Sequence, residues 1–257
     1  MRLLPVLEQI AFRFMAISLR VGGLMSFAPF IGDSSIPIRI KAVFTLSITA
    51  LLYPICPIPH FALSLIGLSR LAMGEAVLGL GMGLCMQFVF EGAVMAGQIA
   101  GFQFAFSLVN IIDPQSNVDT PVLSVFHQLA ALLLFLQFNV HHWLLRGIVK
   151  SFDYVPVGAV SLGLPATREL FRATGGLWLV GVQIAAPILI ATMLIDVAVG
   201  FLSKASPQMP AILLSIPVKS LLGYAILAIV VGLWPVFLER QFALALGWSE
   251  HLLHLAH

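Results

Sequence analysis

Asp113-Pro114-Gln115-Ser116-Asn117-Val118-Asp119-Thr120-Pro121 separates two long apolar segments. Upstream, Gly97-Gln98-Ile99-Ala100-Gly101-Phe102-Gln103-Phe104 leads through Ala105 and Phe106 to Ile112. Downstream, Val122-Leu123-Ser124-Val125-Phe126-His127 continues to Leu136. The prolines and aspartates of this break cannot lie bare in hydrocarbon. Non-helical backbone at membrane depth is tolerated only where protein buries it or water reaches it. The break therefore caps a hairpin at the membrane surface or lines something wet.

Composition fixes the setting. Of 257 residues, 60% are hydrophobic and 9% charged, and the mean hydropathy is +1.04. Soluble domains carry about 25% charged residues, so the composition is that of an integral membrane protein embedded in a lipid bilayer. A net charge of +2 points to no nucleic acid and no acidic partner. Cys56 and Cys85 sit in or beside apolar runs, which suits buried thiols rather than a disulfide. Glu8, Arg13 and Arg20 interrupt the apolar core a signal peptide would need, so residues 1–30 are expected to belong to the fold.

The chain divides into about six apolar segments of the kind that can span hydrocarbon. Phe61 to Ile112 is nearly continuous. As one helix it would measure roughly 78 Å at 1.5 Å per residue, against a bilayer core of about 30 Å, so a break is expected near Gly92. Further segments run over Pro121–Leu145, Leu177–Leu202 and Ala211–Leu238. The polar turn Ser203-Lys204-Ala205-Ser206-Pro207-Gln208-Met209-Pro210 joins the last two, and its prolines stop the helix. Basic residues scatter over several loops, so the positive-inside rule assigns no orientation.

Small residues at four-residue spacing mark faces for close helix packing. Glu75, Gly79 and Gly83 form one such face; Ala93, Gly97, Gly101 and Ala105 form another. These faces serve packing within the chain or between subunits. Glu75, Glu91 and Asp196 are acids inside apolar segments, where ionisable residues are costly and are paired or functional. A buried pair, with Arg70 or with a partner subunit, is preferred over a proton relay. His251, His254 and His257 have helical spacing but are expected to fray or be solvated rather than bind metal. His127 and His142 are expected to satisfy backbone or neighbouring groups. No nucleophile elbow, zinc-protease helix, phosphate loop or dinucleotide fingerprint occurs. Gly79-Leu80-Gly81-Met82-Gly83 has no preceding strand and reads as helix packing. No enzyme activity and no cofactor are expected.

These breaks and the runs around them resemble the FliR family of type III export-gate proteins, known as SctT in injectisomes. The matching stretches are Pro29 with Pro37-Ile38-Arg39-Ile40-Lys41; Ala96 to Gly101 running into Asp113-Pro114; Thr120-Pro121-Val122-Leu123; Leu132 to Leu136; and Gly200 to Ser220 around Ala205-Ser206-Pro207-Gln208-Met209. The Asp113–Pro121 region and Asn139-Val140-His141-His142-Trp143-Leu144 favour the flagellar branch. The resemblance implies an all-α protein with a FliP-like part over residues 1–175, a FliQ-like helical hairpin over 177–240 and a tail over 241–257. It implies FliP-like and FliQ-like subunits, a FlhB-like switch protein and unfolded secreted chains as partners. The place implied is the bacterial inner membrane, in the flagellar basal body.

The resemblance also implies a channel plug near residues 106–121, formed by Phe106, Ser107, Leu108, Val109, Asn110, Ile111, Ile112, Asp113, Pro114 and Asn117. Its apolar rim can seal by dewetting, while Asn110, Asp113 and Asn117 can bond neighbouring subunits. The turn at Ser203, Lys204, Pro207, Gln208, Met209 and Pro210 would face the cytoplasmic mouth. An injectisome gate subunit and a secondary transporter with broken helices are the alternatives.

Overall fold

The computed structural model describes residues 3–29, 31–32, 36–56, 65–104, 122–161, 163–205 and 211–256. Among them the chain is all-α. The helices are α1 (Leu3–Phe27), α2 (Ile38–Leu52), α3 (Leu65–Gln103), α4 (Val122–Gln137), α5 (Val140–Tyr154), α6 (Leu164–Ala205), α7 (Ala211–Val231) and α8 (Trp234–Leu255). Among the described residues, three stretches, Gln9–Phe27, Gly67–Gln103 and Leu164–Lys204, are long and apolar enough to cross a membrane. The α4–α5 pair and the Ser215–Val231 part of α7 with α8 qualify as broken spans, which raises the number to as many as five.

The expected break near Gly92 does not occur: α3 is one helix of 39 residues, about 58 Å long at 1.5 Å per residue. Gly92 is there for close approach. A Cβ on it would lie 2.8 Å from Val180 Cγ1 and 3.0 Å from the Leu177 carbonyl oxygen of α6. The real breaks fall elsewhere. Pro121–Leu145 divides at Asn139, which has a left-handed backbone (φ 56°, ψ 30°). Asn is one of the few non-glycine residues that visit this region. Ala211–Leu238 divides at Gly232 and Leu233, with Pro235 in the first turn of α8, where its missing N–H costs nothing. The stretch Arg146–Arg172 is largely helical, being shared between α5 and α6.

The chain forms two compact units. The first comprises Met1–Phe88, Leu136–Gly175 and Phe242–His257; the second comprises Val89–Phe135 and Gly176–Gln241. In the first, Ile17, Val21 and Leu24 of α1 pack with Leu78 and Met82 of α3, Ile148 and Phe152 of α5, and Leu252 and Leu253 of α8. Helix α5 buries Val140, Leu144, Ile148, Ser151 and Phe152, a stripe at the three- and four-residue spacing of an amphipathic helix. The C-terminal part of α8 is ordered in this core rather than frayed. His251 Nδ1 lies 3.4 Å from Glu169, and His254 stacks on Tyr154 at 4.8 Å.

Candidate functional site

The polar centre of the first unit is an ion pair. Arg20 Nε on α1 lies 2.5 Å from Glu75 Oε2 on α3, and both side chains are fully buried. Arg20 Nη1 donates to the Ser151 carbonyl at 2.9 Å, to Ser151 Oγ at 3.2 Å and to the Val155 carbonyl at 2.9 Å. The guanidinium also lies over the Phe152 ring, 4.2 Å from its centroid, a favourable cation–π position. Glu75 Oε1 accepts the Gly158 N–H at 2.8 Å, and Gly158 holds φ 84°, a conformation open to glycine.

One arginine thus adds a second bond to the Ser151 carbonyl, which already accepts the Val155 N–H at 2.9 Å, satisfies the Val155 carbonyl just past the end of α5, and anchors α3. Arg20 makes this connection across 55 and 131 residues of sequence. Arg70, the sequence-level candidate partner of Glu75, is not the one used. The arginine fork can serve several acceptors at once; a lysine could not reproduce this geometry.

The pair can form because α1 and α3 almost touch. A Cβ on Gly79 would overlap the Arg20 carbonyl, one on Gly83 would sit 2.6 Å from the Leu24 carbonyl, and one on Gly23 2.7 Å from the Ala76 carbonyl. The Glu75, Gly79 and Gly83 face therefore packs within the chain. Arg13 performs a related task at the end of α2. It donates to the Tyr53 and Cys56 carbonyls and stacks over the Tyr53 ring at 4.4 Å. Both cysteines are free and buried, and burial pushes the Cys56 thiol pKa up.

In the second unit, the candidate plug residues Phe106 to Asn117 lie outside the described residues, but the helices leading into and out of them are described. The end of α3 and the start of α4 meet at Gly97, where a Cβ would lie 2.5 Å from Ser124 Cα and 2.6 Å from the Leu123 carbonyl. Gly101 is buried on the same helix. Phe104 is buried, and its ring packs 5.1 Å from Tyr224 of α7 with no room for a side chain at Gly223. Ser220 Oγ donates to the Phe104 carbonyl at 3.1 Å, satisfying a helix-terminal acceptor. On α4, His127 Nδ1 bonds the Leu123 carbonyl at 2.7 Å and the ring stacks on Trp234 at 4.6 Å, a local role as expected.

Asp196 Oδ1 on α6 pairs with Lys219 Nζ on α7 at 2.5 Å. Glu91 is exposed on α3. Ser203 and Lys204 form the last turn of α6, where Ser203 Oγ bonds the Gly200 carbonyl at 2.9 Å; Pro207, Gln208, Met209 and Pro210 lie outside the described residues. Arg20 and Lys219 are the partners that sequence reasoning missed. A basic residue inside an apolar segment was the available signal for Arg20, but nothing in the periodicity states which acid it reaches.

Long apolar helices, glycine-mediated crossings and a buried charge pair define a membrane-type helical component rather than a soluble fold. The sequence matches the family "Bacterial export proteins, family 1" over residues 11–245, and the chain belongs to that family. It is 32% identical over 228 residues to flagellar biosynthetic protein FliR of Escherichia coli (strain K12), covering 88% of this chain and 86% of that one. It is 25% identical over 252 residues to the FliR of Bacillus subtilis (strain 168), covering 94% and 95%. It is 28% identical over 224 residues to the FliR of Pectobacterium carotovorum, covering 87% and 86%. The chain is thus a flagellar-branch member of the FliR/SctT family, a membrane component of the flagellar export apparatus.

Proposed function

We propose that this chain is a non-enzymatic subunit of the flagellar type III export gate, lining part of the channel for unfolded substrates and supplying its plug from residues 106–121. The observation that carries this reading is the fixed rooting of that segment. Gly97 against Ser124 holds its two ends together, and Ser220, Gly223 and Tyr224 hold Phe104. A segment carried on rigid roots can be displaced and return to the same place, as a plug must. Its sequence has the required order, an apolar rim (Phe106, Leu108, Val109, Ile111, Ile112) followed by polar Asp113 and Asn117. Such a rim blocks ions by dewetting.

The gate acts in the inner membrane, within the flagellar basal body, beside FliP-like and FliQ-like subunits and a FlhB-like switch protein. Residues 1–175 act as the FliP-like part and 177–240 as the FliQ-like hairpin, whose two helices are tied by Lys219 and Asp196. The 203–210 turn faces the cytoplasmic mouth. Large apolar side chains exposed along α6, among them Trp178, Val182, Met193 and Phe201, support burial against neighbours or lipid, since patches of this size mark interaction surfaces.

Deletion of Val109–Asn117 tests the plug. The assembled gate is expected to form in normal yield and to leak ions across the membrane, measured as proton or dye flux in cells. An unchanged ion barrier would overturn the plug; purification of the native chain without other subunits would overturn the gate.

A further inference from the structure

The first unit contains a cavity of about 230 Å³ between α5 and α8, floored by Met82 of α3. At about 30 Å³ of liquid volume per water, it has room for a phosphate with a small organic group attached. Its lining is asymmetric. Arg146 and Lys150, one turn apart on α5, and Ser249 on α8 face it with Trp143 and Tyr154 as aromatic walls. Met82, Leu246 and Leu253 are apolar. Glu250 is the one acid in the lining, against two cations.

Two features leave donors open to a ligand. Arg146 and Lys150 are exposed and form no ion pair among the described residues, and the Trp143 indole N–H donates to no protein group there. Ser249 is only 6% exposed, yet its hydroxyl makes no hydrogen bond among the described residues. Helical serines commonly turn back onto the preceding turn, as Ser26, Ser47, Ser151 and Ser203 do here. Ser249 does not, and it faces the cavity instead. The hydroxyl itself reaches the open space of the cavity and is free to donate to a ligand there.

We propose that this cavity binds a phosphate-bearing anion, with Arg146 and Lys150 holding the phosphate, Ser249 and Trp143 donating to its oxygens, and the apolar floor taking an attached glycerol or acyl portion. Charge-assisted bonds to phosphate are the strongest available to such donors. The cavity's chemistry is that of an acidic phospholipid headgroup or of free phosphate, and it does not depend on the channel reading.

The test uses the full-length chain in detergent, with bound ligand counted by native mass spectrometry. It is titrated separately with phosphatidylglycerol, with zwitterionic phosphatidylcholine and with inorganic phosphate. Parent protein is expected to retain phosphatidylglycerol over phosphatidylcholine. Arg146→Gln with Lys150→Gln should weaken that retention by at least about tenfold, a factor corresponding to roughly one lost charged bond. Ser249→Ala should weaken it by a smaller factor, and Glu250→Gln should strengthen it, because it removes the opposing carboxylate. Arg168→Gln, an exposed cation away from the cavity, should change nothing. Displacement of the lipid by millimolar inorganic phosphate would assign the site to free phosphate; lipid retained in its presence would assign it to the headgroup. Equal retention of both lipids without phosphate binding, or undiminished binding by a double variant that melts like the parent, would overturn the proposal.

Discussion

Arg20–Glu75 in the first unit and Lys219–Asp196 in the second are both drawn together to 2.5 Å, but their surroundings differ. The first pair is fully buried; bonds to Ser151 and Val155 occupy Arg20 Nη1 and the Gly158 N–H occupies Glu75 Oε1, while Arg20 Nη2 has no partner among the described residues. In the second, Lys219 is 17% and Asp196 51% exposed. A buried charge that loses its partner leaves the other stranded in a low dielectric, whereas a half-open one is rescued by its surroundings. The closed pair therefore belongs to the stability of this chain, and the open pair has capacity left for contacts outside it.

The largest expected effect comes from breaking the closed pair. Glu75→Gln leaves the Arg20 guanidinium buried without its counter-charge and should cost about 3–5 kcal/mol, read as a lowered melting temperature of the full chain in detergent. Replacing both residues, Arg20→Met with Glu75→Leu, should recover much of the loss, because apolar substitutes for a buried pair are often nearly neutral. A Glu75→Gln protein that melts with the parent would erase the distinction between the two pairs.

The glycine crossings give the next effect and sharpen the comparison. Gly79→Ala drives a methyl into the Arg20 carbonyl, and Gly97→Ala drives one toward Ser124 Cα. Both obstacles are backbone, so the helices must part, at a cost of about 1–3 kcal/mol each. Gly79→Ala should also loosen the ion pair beside it, seen as non-additivity with Glu75→Gln in a double-mutant cycle. Gly97→Ala should be additive with Glu75→Gln, and on the proposed plug reading it should instead disturb the ion barrier, since it parts the ends of α3 and α4 that flank that segment.

Much of this was legible in the sequence, and the reasons divide cleanly. The membrane setting, the all-α class, the Glu75–Gly79–Gly83 packing face and the buried thiols follow from composition and spacing, which are local. The partner of Glu75 was sought five residues away at Arg70 and lies 55 residues away at Arg20. Long-range pairing leaves no trace in periodicity. Gly92 was read as a breaker because a helix spanning residues 61–112 is too long for one bilayer crossing. Helix α3 still runs 39 residues from Leu65 to Gln103, longer than one bilayer crossing needs, and it serves both units, with the change at Phe88 and Val89. Asn139 and the Gly232–Pro235 stretch were readable stop signals inside apolar runs, and the strength of those runs hid them.

The smallest stability change is expected at the open pair, and it separates the two kinds of charge most directly. Asp196→Asn removes an ion pair that its surroundings already screen, so the isolated chain should lose no more than about 1 kcal/mol. On the proposed gate reading, the exposed half of Asp196 meets a neighbouring subunit, so the yield of assembled gate should still fall sharply, measured by co-purification with the proposed FliP-like and FliQ-like partners. The charge swap Asp196→Lys with Lys219→Asp decides between the two contributions. It restores the pair within the chain while presenting the wrong sign outward, so stability should return and assembly should not. Recovery of both would make Asp196 as self-contained as Glu75, and the difference between the two units would then be one of burial alone.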